Sequence, residues 1–527
     1  MSSPTSFKEQ MDGFPWAQIL VISVVRLAEP IAFSSLFTYV YYMVKDLGVA
    51  ETKAEVSKYA GFLASSFAFC QVLTAVFWGK FADKHGRKPT VIMGLTGSMI
   101  SILLFGFSTT YPMAIFSRCL MGLVNGNVGV IRTMLGEIAQ EKKHQALAFA
   151  VMPLLWSLGS VIGPLIGGFL SGKETSIGFM KNFVERFPYS RPNIVIAFIL
   201  LISILTALFF MEETHYKYQY RHDPFLDIGD RFLSRKFGIP TKTRGWSIQI
   251  DEENGDSVPL RDLSTAQSDS EPSSPSQKKA DETISTKRVT ENDEPEETNL
   301  KEILTVPVIA AVVSTFLISA HCVVSDEFVP VFLSSPIVRD SEGHLVSHGL
   351  FKIAGGLSYS SQDTGALLSS TGMIIVVFTI LALPYINRKM DTLTIYKWFS
   401  LPLPFIYFLF PYVVLLADSP MLAKVVVYFL SAARSMCVNL LFPQLNFIVH
   451  CCAPPRQRAF VNGISISFGS AARCIAPFIW GFIMSFGLSH EIGWISWWAL
   501  SLVGVVCLYY SKNLSADEVE DTVRLDH

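Results

Sequence analysis

Twelve blocks of about twenty apolar residues each occur along this 527-residue chain. A helix needs roughly that length to cross the hydrocarbon core of a bilayer, about 30 Å thick. Backbone in lipid must also satisfy its own hydrogen bonds. The blocks therefore predict an all-α membrane protein with about 12 transmembrane helices. The predicted spans, numbered 1 to 12, are 15–43, 59–79, 90–110, 113–136, 146–170, 192–211, 303–332, 362–384, 394–416, 421–449, 458–485 and 491–511.

The composition agrees with an integral, multi-pass membrane protein. Half of the residues are hydrophobic and 16% are charged, whereas a soluble domain has roughly a quarter charged residues. A formal charge of -2 excludes a strongly basic, nucleic-acid-binding chain. The vacuole, the Golgi and the plasma membrane all remain open as the location.

The spans fall into two sets of six. We predict an N-terminal six-helix bundle at 15–211 and a C-terminal bundle at 303–511, the layout of a transporter with parallel-related halves. Short tails cover 1–14 and 512–527. The linker, 212–299, becomes acidic and rich in Ser and Pro, so we expect it to be largely disordered. Ser273 and Ser274 are candidate phosphorylation sites in this linker.

Basic residues set the predicted orientation. They follow spans 2, 4, 8 and 10, including Lys142 with Lys143, and Arg388 with Lys389. Positively charged short loops stay in the cytosol. Both tails and the linker are therefore predicted to be cytosolic.

The loop between spans 2 and 3 carries a dense motif. Gly79 allows two helices to approach closely, and Gly86 allows a tight turn. Asp83 can accept hydrogen bonds from Arg87 and lie at a helix N-terminus. Together with Lys88, the string resembles the G-x-x-x-D-R-x-G-R/K signature of the major facilitator superfamily, with Lys84 replacing the usual Arg. The resemblance implies the fold of that superfamily and a gating latch between the halves on the cytosolic side.

Span 5 carries a second motif, GSVIGPLIGG. Pro164 bends the helix, and glycines form a groove for close packing. The string matches the G-x-x-x-G-P-x-x-G-G motif of superfamily antiporters, which implies export in exchange for protons. Its residues here are Gly159, Gly163, Pro164, Gly167 and Gly168.

Charged residues inside spans 1 and 4 are candidates for proton coupling. Arg26 lies roughly 16 Å along span 1, and Glu29 follows on the same helix face. The pair is either a self-neutralised structural pair or a proton or cation site. Arg118 begins a string similar to the R-x-x-x-G motif of proton-coupled members; a structural salt bridge is the alternative. The Arg26–Pro30 string resembles span 1 of fungal drug:proton antiporters related to zinc-induced facilitator-like proteins.

Span 7 contains His321, Asp326 and Glu327. His321 is a candidate for titration near neutral pH. We expect the two acids near the outer mouth. The three side chains offer only a loose set of metal ligands, so we predict no metal site and no cofactor.

These features predict a proton-coupled antiporter that exports a small organic molecule or ion by alternating access. Its partners would be that substrate, protons and the bilayer, and the protein would be a monomer. The chain has no Walker A string and no nucleophile–base pair, so we expect neither ATP-driven transport nor an enzyme. The alternatives are a facilitator or proton symporter of the same superfamily, and a non-transporting receptor or scaffold.

Overall fold

The computed structural model describes residues 13–139, 141–172, 181–238, 248–250, 257–259, 305–452 and 458–514. Twelve helical segments in these ranges are long and apolar enough to cross a membrane. The predicted all-α membrane architecture is confirmed. The predictions for Ser273, Ser274, most of the linker and the outer parts of both tails lie outside the described residues.

Each predicted span overlaps one of the observed helical segments. These are Trp16–Thr38, Val56–His85, Arg87–Gly106, Tyr111–Ile138, Lys142–Leu170, Ser190–Phe210, Val306–Ser334, Ser361–Lys389, Thr392–Leu416, Pro420–Cys452, Arg458–Ser489 and Trp494–Tyr510. Shorter helices are Val40–Asp46, Lys181–Arg186, Pro224–Phe237 and the 3-10 turn Ser511–Asn513. Two strands, Ile248–Ile250 and Ser257–Pro259, pair antiparallel.

Two spans contain breaks that the apolar pattern did not predict. Span 4 consists of Tyr111–Val124 and Asn127–Ile138, separated at the turn-prone pair Asn125-Gly126. Span 9 is interrupted before Pro402, whose missing N–H cannot continue the helix. The length of an apolar block predicts that the segment spans the membrane, but it does not predict whether the backbone hydrogen bonds of the helix are continuous.

In the described ranges, close backbone contacts between the two halves lie on one side of the molecule. We call the side that carries the loop Gly79–Lys88 the latch side. On the opposite side, a Cβ on Gly61 would lie 2.5 Å from the carbonyl oxygen of Pro477, and a Cβ on Gly168 would lie 2.8 Å from Gly365 Cα. Core residues at that end of span 1 belong to the same buried cluster as the core of the C-terminal half.

The latch-side glycines of spans 2 and 11 do not pack against another helix. A Cβ on Gly79 or on Gly463 would meet no atom within 4 Å. The close approach that we expected at Gly79 is therefore absent in this conformation. From these contacts we infer that the space between the halves opens to the latch side.

The first part of the linker is ordered; the disorder that we predict concerns the acidic part rich in Ser and Pro, most of which lies outside the described residues. Residues 212–238, which we call the docking segment, fold back onto the N-terminal half and end in the helix Pro224–Phe237. Leu226 is 1% exposed, and Gly229 lies against the backbone of Phe209 at the end of span 6. The apolar residues of the helix are spaced so that they lie on one face. This part of the linker can therefore pack against the N-terminal half, which a segment without apolar residues could not do.

Candidate transport site and latch

The latch loop holds Arg87 between two acids. Arg87 Nη1 donates to Asp83 Oδ1 at 2.5 Å, and Nη2 donates to Glu137 Oε1 at 3.2 Å. Asp83 lies in the last turn of span 2 and its side chain is 66% exposed. Asp83 therefore caps no helix N-terminus here, and it is not the only acid that neutralises Arg87.

The acid that occupies the N-terminus of span 3 is Glu213. Its Oε1 accepts from Arg87 N at 2.9 Å, and its Oε2 accepts from Lys88 N at 3.1 Å. Gly86 has a φ of 104°, and a Cβ there would lie 2.4 Å from Glu213 Oε2. Glycine is thus required twice, for the backbone conformation and for the approach of the carboxylate. Glu213 is 126 residues from Arg87, so no local motif could reveal this role.

Lys88 connects the latch to the docking segment. Its Nζ donates to Leu208 O at 2.8 Å and to Asp223 Oδ2 at 2.6 Å. The other oxygen of Asp223 accepts from Phe225 N and Leu226 N at 3.0 and 3.2 Å, which caps the helix Pro224–Phe237. The latch loop and the docking segment are therefore one hydrogen-bonded unit.

The glycines of span 5 contact two different helices. Three of them pack on span 1: a Cβ on Gly159 would lie 2.3 Å from Pro30 Cβ, and one on Gly163 would lie 2.6 Å from Ile31 O. Gly167 approaches Ser35 O in the same way, at 2.2 Å. Gly168 instead faces span 8 of the other half. The motif therefore supports packing within one half and the contact between halves.

Arg26 and Glu29 form a direct ion pair within span 1. Both side chains are largely buried, with 7% and 13% exposure. Among the described residues, Arg26 Nε is buried without a hydrogen-bond partner. The charge of Glu29 is matched by a residue three positions away on its own helix, so the pair does not join two elements.

Arg118 and Glu327 come together from different halves of the protein. Arg118 is 2% exposed; its Nε donates to Leu63 O at 3.4 Å, and its guanidinium lies 4.9 Å from the centroid of the Phe67 ring. Glu327 is 7% exposed, and in the described part of the chain its Oε2 has no hydrogen-bond partner. The two side chains are near enough to influence each other electrostatically, and in the described ranges they form no direct salt bridge. Glu327 is therefore buried at the junction of the halves and does not lie at an open outer mouth.

The other polar residues of span 7 face the interior of the C-terminal half. His321 is 1% exposed, and its Nδ1 is 3.1 Å from Tyr407 Oη. Arg434 Nη2 donates to Asp326 Oδ1 at 2.7 Å. Asp326, Tyr407 and Arg434 line a cavity of 20 Å³, which has room for about one water. No cluster of three metal-ligating side chains occurs in the ranges that the structure describes.

Two six-helix halves that meet on one side and separate on the other, with buried charge at their junction, define a membrane transporter of the alternating-access class. The chain belongs to the Major Facilitator Superfamily, whose family model matches residues 22–477.

Relatives agree with the branch that the motifs indicated. The Major facilitator superfamily multidrug transporter mfsB of Aspergillus fumigatus is 32% identical over 508 residues, covering 94% of this chain and 83% of that protein. Protein ZINC INDUCED FACILITATOR-LIKE 1 of Arabidopsis thaliana is 25% identical, covering 91% and 86%. The crystal structure of a D-xylose-proton symporter shares the fold, with a TM-score of 0.64 at 11% identity, covering 96% of this chain and 99% of that one.

Proposed function

We propose that this protein is a proton-coupled antiporter that exports a small organic molecule from the cytosol, and that Glu327 carries the proton. The observation that carries the proposal is the carboxyl group of Glu327, buried opposite Arg118 at the junction of the halves with one oxygen unpartnered among the described residues. The multidrug name of the fungal relative supports an organic substrate. The span 5 motif supports antiport.

The charge state of Glu327 would change how firmly the two halves are held together. Positively charged loops place the latch side in the cytosol, so the conformation described here is open to the cytosol. A charged Glu327 attracts Arg118 and stabilises the closed opposite side. A proton on Glu327 removes that attraction and favours separation there, so protonation biases the equilibrium between the two conformations.

The first prediction concerns this carboxyl group. Purified protein is reconstituted in vesicles that contain pyranine, and a panel of lipophilic drugs is added under a pH gradient. We expect the active compounds to move protons in the parent protein, and Glu327→Gln to abolish this movement because it cannot exchange a proton. The matched control is Asp326→Asn, at the neighbouring acid already paired with Arg434; Glu29→Gln tests the pair in span 1.

The outcomes separate the alternatives. Drug flux down its own concentration gradient that is unchanged when an ionophore collapses the proton gradient would identify a facilitator, and drug and proton movement in the same direction would identify a symporter. Coupled antiport that survives in Glu327→Gln and fails in Glu29→Gln would move the proton to span 1. Specific drug binding without flux for any compound would indicate a receptor.

A further inference from the structure

In the docking segment, the acidic and basic residues differ in solvent exposure. It contains five acidic and five basic residues, and every acid is at least partly buried whereas every base is exposed. The acids are Glu212, Glu213, Asp223, Asp227 and Asp230, and the bases are Lys217, Arg221, Arg231, Arg235 and Lys236.

Two of these acids have their charge matched inside the protein, and a third lies within hydrogen-bond distance of a histidine. Glu213 accepts from the N-terminus of span 3, and Asp223 is paired with Lys88. Asp227 Oδ2 lies 2.9 Å from His222 Nε2. The outward surface of the docking segment is therefore positively charged, although the segment as a whole carries equal numbers of acids and bases.

Apolar side chains are exposed beside this positive charge. Phe225 and Ile228, one helical turn apart, are 46% and 51% exposed, while Leu226 on the other face is buried. The ring of Phe225 lies 6.2 Å from that of Phe209 in the last turn of span 6. The exposed face thus continues from the end of the membrane-spanning helix Ser190–Phe210.

We propose that the docking segment binds anionic phospholipid in the leaflet on the latch side. Phe225 and Ile228 enter the interface between headgroups and acyl chains, and Arg231, Arg235 and Lys236 contact the phosphates, as in an interfacial amphipathic helix. The acidic part of the linker, residues 251–299, is a poorer occupant for this surface. Residues 251–299 contain no aromatic residue to cover the apolar face.

Lipid bound here would act on the latch. Glu213 and Asp223 join the docking segment to Gly86, Arg87 and Lys88. Whatever holds the segment in place therefore also holds the N-terminus of span 3. Anionic lipid stabilises the conformation described here through this connection.

The test measures stabilisation of the full-length protein by lipid. The Tm in detergent is followed by intrinsic fluorescence while phosphatidylserine or phosphatidylcholine is titrated. Phosphatidylserine should raise the Tm more, and the triple variant Arg231→Gln, Arg235→Gln, Lys236→Gln should need on the order of 100-fold more of it or respond no differently than to phosphatidylcholine. The matched control replaces three exposed bases on the opposite side by Gln, namely Lys53, Lys181 and Arg186. This control should behave as the parent does.

A second readout does not depend on the charge variants. The Phe225→Trp variant contains one tryptophan more than the parent, and its added emission is the difference between the two proteins in bilayers. Phosphatidylcholine brominated near the headgroup end of its acyl chains should quench this emission more strongly than phosphatidylcholine brominated near the chain ends. An equal phosphatidylserine effect on the triple variant and the parent, or an added emission in Phe225→Trp that no bromolipid quenches, would overturn the proposal. A third outcome would show that the acidic linker binds this surface instead of lipid. In that case phosphatidylserine would have no effect on either protein, and the triple variant would be less stable than the parent in phosphatidylcholine.

Discussion

At the scale of single residues, the partner of a carboxylate decides what it does. Glu29 is paired within its own helix, Glu213 accepts two N–H groups at the start of span 3, and Glu327 keeps one oxygen unpartnered among the described residues. A buried carboxylate that lacks full compensation is costly. Of the three, Glu327 is therefore the one whose protonation we propose to change the contact between halves.

The second prediction concerns the capping role of Glu213. Glu213→Ala removes both acceptors from the N-terminus of span 3 and should lower the stability of the N-terminal half by about 1–2 kcal/mol. Glu213→Gln keeps one acceptor without the charge and should cost roughly half as much. The Tm in detergent, followed by fluorescence, ranks the variants. Glu342→Gln on the exposed loop after span 7 is the control, and a Glu213→Ala protein as stable as this control would contradict the capping role.

At the scale of helices, glycines set where the two halves can touch. The glycines at 61, 168 and 365 lie at backbone contacts on the side opposite the latch, whereas Gly79 and Gly463 on the latch side lie beside open space. Small residues allow backbones to approach in the membrane, where packing drives helix association. The same residue type thus forms a contact at one end of span 2 and none at the other.

Substitution at these glycines should shift the conformational equilibrium. Gly168→Val places side-chain atoms on Ser361 O and Gly365 Cα, 2.6 and 2.8 Å from its Cβ, and should force spans 5 and 8 apart. Spin labels at positions 80 and 460, in a background without native cysteines, should then report shorter distances by electron–electron resonance as the latch side closes. Gly79→Val fits the open latch side and should keep the longer distance. A shift of equal size and sign in both variants would show that the effect is non-specific.

At the scale of the whole molecule, orientation determines which solution each conformation faces. The basic loops predict that the latch side faces the cytosol. The loop that contains Glu342 lies on the opposite side, and the docking segment lies on the latch side.

Labelling with an impermeant maleimide tests this orientation. In cells or sealed vesicles whose outer face corresponds to the cell exterior or the organelle lumen, Glu342→Cys should react directly. Cysteines placed at 260–290 should react only after permeabilisation. The reverse pattern would invert the topology and would make the conformation described here open to the other side.

The number of spans, the division into two halves and the family follow from the sequence by itself. Membrane helices are set by the length of apolar blocks, and motif residues such as Gly159–Gly168 lie close together in one helix, so both can be recognised locally. The tertiary structure alone decided the rest. Each of these features depends on residues that are far apart in the chain: Glu213 caps span 3, Arg118 lies near Glu327, and the two halves separate on the latch side. The energy of a buried charge depends on which group faces it across the packed helices, and no local pattern specifies that group.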